Sequence, residues 1–392
     1  MQTWSRREPR SRALWKFFGV AVLLCLLIAG SVRAFFLLRA ASLVYGLSPG
    51  PPPLIVHAYM KFFRHSIAES DFSVPGRNGP VPVRMIFPRD DANAPIVVLV
   101  HGLAPEGYRD GLLSVLADRL ARIGLRVVVP NLSSEEHRLM RPADLDEIGA
   151  AVRWSAAASG QRVSLFGISF GGGLVIATAD IPQYANLIKL VFSDAGYNSI
   201  ERLGRYYIGE RVDTPDGRPY PELPPGSGPL LMAFQHLDEM VPAPDVLALD
   251  KLILSQALNH SGGPASPADV LTPAQNRLYD DLRTVHSPAM REKYHRLLER
   301  HRNEMAAISP HGHMRGLRAP LYILHGAADN SIPAGETLWT ATEAPSTARV
   351  HILLTPWVAH AVLSGRVSWR EKLRVGNFVS EVLNAAFRSS PL

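Results

Sequence analysis

Thiol chemistry is nearly absent from the chain. Its one cysteine, Cys25, has no partner for an intramolecular disulfide and cannot found a cysteine-ligated zinc site. Charge is also sparse, at 19% Asp, Glu, Lys and Arg in 392 residues. The formal net charge is +6, but the first sixteen residues set Arg6, Arg7, Arg10, Arg12 and Lys16 against Glu8 alone. That segment supplies +4 of the total and leaves about +2 for the rest. So small a balance gives the main body no basic footprint, and no nucleic-acid partner is expected. A phosphate-binding loop, a dinucleotide fingerprint and a clustered His/Asp/Glu zinc motif are all missing, so neither a cofactor nor a metal is expected. No internal repeat occurs.

Apolar residues, by contrast, make up 47% of the chain, enough for a large core with an insertion or for two modest domains. From Phe17 to Val32 no charge occurs, and a basic segment precedes the run. Sixteen residues span roughly 24 Å as helix, a little under a bilayer core of about 30 Å. Lys16 and Arg33 can snorkel, and Ala34 to Leu38 prolong the apolar stretch. Three readings stay open: a retained membrane helix, a signal peptide cleaved near Ala29-Gly30-Ser31, and a buried helix of a cytosolic protein. The basic flank of a retained helix would put the bulk of the chain on the non-cytoplasmic side, and cleavage would make it secreted or periplasmic. Arg6-Arg7 lacks the apolar pair a twin-arginine signal needs, because Glu8 and Pro9 follow.

Beyond the proline-rich turn at Pro49 to Pro53, the segments FSV and PVRMIF flank Gly76, Asn78 and Gly79 and predict an opening hairpin. Short β-branched runs then alternate with helical spacing. PIVVLVHG, LRVVVPNL, RVSLFGIS and IKLVFSDAG read as strands buried on both faces, separated by amphipathic helices. This βαβ order predicts a mostly parallel sheet with helices on both faces. The alternation stops between Tyr197 and Arg315, a span far too long for a structureless loop. Helix starts at Ser266-Pro267, Thr272-Pro273 and Ser287-Pro288 fill it, each with a capping hydroxyl before proline. In the last of these, Met290, Tyr294, Leu297, Leu298 and Met305 share one face, as expected of a helical cap over the core. PLYILHG and ARVHILLTP resume the strands, and an amphipathic helix closes the chain from about Trp369 to Phe387. The expected organisation is therefore 1–42 (basic segment and membrane or signal helix), 43–196 (first part of the core), 197–315 (cap) and 316–392 (second part of the core).

Chemistry concentrates at Gly167-Ile168-Ser169-Phe170-Gly171, between the strand VSLF and a helix opening GGGLVIATA. A turn this sharp strains the backbone of the central residue, and side chains two residues to either side would collide. It also aims the first free N–H groups of the helix at the serine, where they can stabilise an oxyanion. The bland alternative is a glycine-rich strand-to-helix turn with an incidental serine.

With the strand order, the elbow, and an acid and a histidine further on, the chain resembles the α/β-hydrolase family over about residues 72–387, the cap excepted. That resemblance implies Ser169 as nucleophile. His325-Gly326-Ala327-Ala328-Asp329-Asn330-Ser331-Ile332-Pro333 is similar to the family's acid segment, which implies Asp329 as the acid. His360, four residues past the last strand, then stands in the family's chain order as the base. Asp194 in FSDAG is the alternative acid. His311 and His313 precede the acid strand and are expected to finish the cap. The oxyanion donors implied are the backbone N–H groups of Phe170 and Leu103, with His101 supporting the loop. A serine at the elbow sets the chain apart from the aspartate-nucleophile dehalogenases and epoxide hydrolases of this fold. The activity implied is hydrolysis of a small-molecule carboxylic ester or related acyl bond, with substrate selection expected in the cap. Two alternatives are a peptidase resembling the prolyl oligopeptidase group and a catalytically silent binding module.

Overall fold

The computed structural model describes residues 30–47, 51–103, 106–134, 139–221, 228–257, 271–329, 331–360, 362–363 and 367–392. Eight strands form one sheet: β1 (Ile67–Pro75), β2 (Pro80–Pro88), β3 (Ile96–Val100), β4 (Arg126–Pro130), β5 (Val163–Ile168), β6 (Ile188–Asp194), β7 (Leu321–Gly326) and β8 (Val350–Thr355). Their spatial order is β1-β2-β4-β3-β5-β6-β7-β8. β1 and β2 form the antiparallel hairpin expected from the glycine-rich turn, β2 meets β4 antiparallel, and every later neighbour pair is parallel. This is the α/β-hydrolase fold.

The interior strands are apolar because helices cover both faces. Along β3 the side chains divide by alternation. Ile96, Val98 and Val100 join one core with the helices Pro142–Ser159 and Phe170–Asp180 and the inserted helices after Tyr197. Val97 and Leu99 join the other, with the helices Gly111–Arg122 and Trp369–Phe387. The inserted helices therefore pack on one side of the sheet, and the chain's two terminal helices on the other.

Within the insertion, Thr272 and Gln275 cap the helix Pro273–Thr284 reciprocally, and the Ser287 hydroxyl accepts from the Met290 N–H at 3.1 Å to start Pro288–Arg300. The third expected start, Ser266-Pro267, lies outside the described residues. One expectation is corrected: the helix ends at Arg300, and Met305 belongs to a separate short helix, Arg302–Ala307. Met305 is still buried in the same core as Met290, Tyr294, Leu297 and Leu298.

The insertion is tied to the core through Glu336, whose side chain is fully buried. Its carboxylate accepts from the Asn198 and Ser199 N–H groups, both at 2.8 Å, from Arg202 Nε at 2.9 Å and from the Tyr220 hydroxyl at 2.8 Å. A buried charge is tolerated only when its lone pairs are filled in this way.

The helix Gly30–Leu47 has the length and hydropathy, 1.2, to cross a membrane, a test that signal sequences and core helices also pass. It runs through the expected boundary at residue 42. Ala40, Leu43 and Val44 are buried, Phe36 packs against Phe387 with ring centroids 5.8 Å apart, and Arg39 lies 3.9 Å over the Phe387 ring. Most of the uncharged run from Phe17 to Val32 lies outside the described residues.

Glu336→Gln should destabilise the fold by about 3 kcal/mol, because it leaves Arg202 facing a neutral amide in a dry site. Urea unfolding checks this; a loss under about 1 kcal/mol would mean the network does not hold the insertion.

Candidate active site

β5 ends at Ile168, and the helix Phe170–Asp180 begins one residue later. Ser169 bridges the two at φ 54°, ψ −126°, in a region that costs a non-glycine residue about 1–3 kcal/mol. Its N–H donates to the Asp194 carbonyl at 2.7 Å, which fixes the turn to the end of β6. The turn closes only because Gly171 has no side chain: a Cβ there would lie 2.2 Å from the His101 carbonyl oxygen. His101 follows β3, the strand at which the order reverses, so the loops after β3 and β5 open the crevice where such sheets bind ligands.

The Ser169 Oγ is 2.9 Å from His360 Nε2, and His360 Nδ1 is 3.2 Å from each Asp329 carboxylate oxygen. With the carboxylate as acceptor, Nδ1 carries the proton and Nε2 accepts from the serine hydroxyl. His360 sits at the tip of a small hairpin pairing Val358–Ala359 with Val362–Leu363, at φ 40°. Asp329 is buried, and its Oδ1 also accepts the Ser331 and Ile332 N–H groups at 2.8 and 3.0 Å. Burial alone would raise its carboxyl. Hydrogen bonds from His325 and His360, with their charge, outweigh burial and hold it well below the ordinary carboxylate range.

Asp194, the other acid considered, lies at the end of β6 and does not bond His360. Its Oδ1 is shut off from solvent without a hydrogen-bond partner among the described residues. Burial, opposed by the nearby His325 and His360, pushes its carboxyl up to about 7. Leu103 follows Gly102, and a Cβ on Gly102 would lie 2.9 Å from Ser169 Cβ, so this loop rests against the serine. Phe170 is the first residue of the helix that follows. His101 is buried, and burial, against a contact with the Gly102 carbonyl at 2.5 Å, lowers its imidazole to about 4. His311 pairs with Glu343 at 2.7 Å, and His313 contacts the Ser309 carbonyl at 3.3 Å, both away from Ser169.

Three features escaped the sequence reading. His325 is buried, with Nε2 donating to the Ile332 carbonyl at 2.8 Å and lying 3.5 Å from Asp329, so it braces the acid loop from behind. In the insertion, His236, Glu239 and His301 converge, with Glu239 taken by His301 at 2.8 Å and by Arg300 at 2.7 Å as an ion-pair cluster. Finally, the cavity beside Ser169, of about 250 Å³, has no residue of the insertion in its described lining. The expectation that the cap lines the substrate site is corrected, because the described inserted helices cover the opposite face of the sheet.

The sequence profile of the alpha/beta hydrolase family matches residues 97–365, well over half the chain. The chain belongs to the alpha/beta hydrolase family. No curated protein matches it. Similar solved structures include an acylaminoacyl peptidase in complex with a chloromethyl ketone (TM-score 0.48, 16% identity), which covers 83% of this chain and of which this chain spans 42%. Brefeldin A esterase, described as a bacterial homologue of human hormone sensitive lipase, has a TM-score of 0.47 and 16% identity, covering 91% of this chain and 85% of its own. A Pyrococcus furiosus esterase has a TM-score of 0.48 and 11% identity, covering 82% and 92%.

The raised Asp194 carboxyl carries a pH signature. An unfolded Asp ionises near pH 4, whereas the folded group keeps its proton to about 7, so this residue lowers stability as pH rises through that window. Asp194→Asn should therefore gain melting temperature relative to the parent between pH 4 and 7. A flat difference across that range would mean that Asp194 does not titrate there.

Proposed function

We propose that the chain is a serine hydrolase that cleaves a carboxylic ester through an acyl-enzyme. The observation that carries this reading is the hydrogen-bonded chain Ser169–His360–Asp329 at the edge of an apolar cavity. Ser169 Oγ attacks the ester carbonyl carbon while its proton passes to His360 Nε2, and the imidazolium is stabilised by Asp329. The N–H groups of Phe170 and Leu103 hold the developing oxyanion. The C–O bond to the alcohol then breaks, and the alcohol leaves with the proton from His360. Water repeats the sequence: it loses a proton to His360, attacks the acyl carbon, and Ser169 leaves with that proton as the acid is released.

The apolar lining favours an ester over a peptide, since a peptide backbone needs polar partners along its length. The uncharged run from Phe17 to Val32, prolonged by the apolar residues Ala34 to Leu38, is proposed to hold the protein at a membrane, with the catalytic body on the non-cytoplasmic side by virtue of the basic N-terminal flank.

Labelling with a fluorophosphonate tests the nucleophile. The parent should label, Ser169→Ala should not, and His360→Ala and Asp329→Asn should lose about 10⁴-fold in turnover. Equal labelling of parent and Ser169→Ala would overturn the assignment.

After an alkaline carbonate wash, the full chain should remain in the membrane fraction. Release into the supernatant would exclude an integral anchor.

A further inference from the structure

The cavity beside Ser169 is unusual in where its walls come from. Phe166 on β5 and Phe192 on β6 form its floor on the sheet, and Leu116 and Val379 come from the helices Gly111–Arg122 and Trp369–Phe387. A further part of the wall is the helix Gly30–Leu47, through Leu43, Val44 and Leu47. Among the described residues, the polar side chains on its lining are His101, Asp110, Ser169, Asp194 and His360. Asp110 is spoken for as the cap of its own helix, accepting from the Leu113 N–H at 2.9 Å.

A cleft of this size lined mainly by apolar side chains suits a ligand that is itself largely apolar. Its position says what fills it. Phe166 lies three residues before Ser169 along an extended strand, so the floor reaches about 10 Å from the nucleophile. Since an apolar cavity of about 150 Å³ holds the six carbons of benzene, the 250 Å³ here has room for roughly ten. Apart from those five polar side chains, the described lining offers an occupant apolar contacts.

We infer that this cavity is the acyl subsite. It takes a linear aliphatic acyl chain of about ten carbons, carbonyl at Ser169, with Leu43 and Val44 of the N-terminal helix as the wall that sets chain length. The inference rests on the esterase reading and adds to it that residues 30–47 are part of the substrate site. The docking of that helix, through Phe36 and Arg39 against Phe387, then completes the active site.

The test uses the full chain in detergent with p-nitrophenyl esters from acetate to palmitate. In the parent, kcat/KM should rise at least tenfold from acetate to about decanoate and then fall. Leu43→Trp should lower the decanoate-to-acetate ratio tenfold or more, and Leu43→Ala should move the optimum to a chain at least two carbons longer. An unchanged profile in variants that melt like the parent would overturn the subsite. A parallel series with ethyl and decyl fluorophosphonates separates this outcome from failure of the esterase reading. If no ester is cleaved but Ser169 prefers the decyl probe and Leu43→Trp abolishes that preference, the subsite stands without the ester. Equal ethyl and decyl rates, or no labelling, would overturn it.

Discussion

The approach of one backbone to another at Gly171 governs the rest of the site. The start of the helix after β5 lies so close to the end of β3 that no side chain fits between Gly171 and the His101 carbonyl. That contact forces the chain to reverse within one residue and leaves Ser169 with a positive φ. It also brings the loop after β3 against the serine, where Gly102 is again the residue that fits. Strain at Ser169 is therefore held in place by two packed strands and a buried helix, a framework stiff enough to carry it.

Asp329 and His360 are placed by neighbouring strands further along the sheet. They follow the ends of the neighbouring parallel strands β7 and β8, whose backbones pair in register, and the Ala327 N–H donating to the Thr355 carbonyl at 2.9 Å continues that pairing past β7. Behind Asp329 stand two backbone N–H groups, the His325 ring, and the Tyr207 hydroxyl, which donates to the Ser331 carbonyl at 2.6 Å. Tyr207 belongs to the first inserted helix, which Glu336 pins to the core. The insertion thus acts on the site from behind, by bracing the loop that carries Asp329.

Strands such as β3 and β5 were legible in the sequence because a strand buried on both faces has to be a short apolar run, and the elbow because its glycines answer to sterics. Thr272 and Ser287 announced their helices because capping is a local interaction. The hairpin at His360 was invisible, since two-residue strands carry no periodicity. His325 was read only as the start of the segment that carries Asp329, and its bracing role exists only once β7 and the segment at Ile332 are in space. The cavity could not be read at all, because its walls lie more than 300 residues apart.

The contact between Phe36, Arg39 and Phe387 joins the first described helix to the last one, a separation of about 350 residues. During synthesis the helix Gly30–Leu47 emerges long before Trp369–Phe387 and cannot make this contact until the later helix has been made. Pairings so distant in sequence form late and slowly. The sheet and elbow can assemble earlier from nearer neighbours, so a nascent chain would hold a formed serine turn beside an unfinished wall. The side of the cavity formed by Leu43 and Val44 is therefore among the last parts of the molecule to take shape.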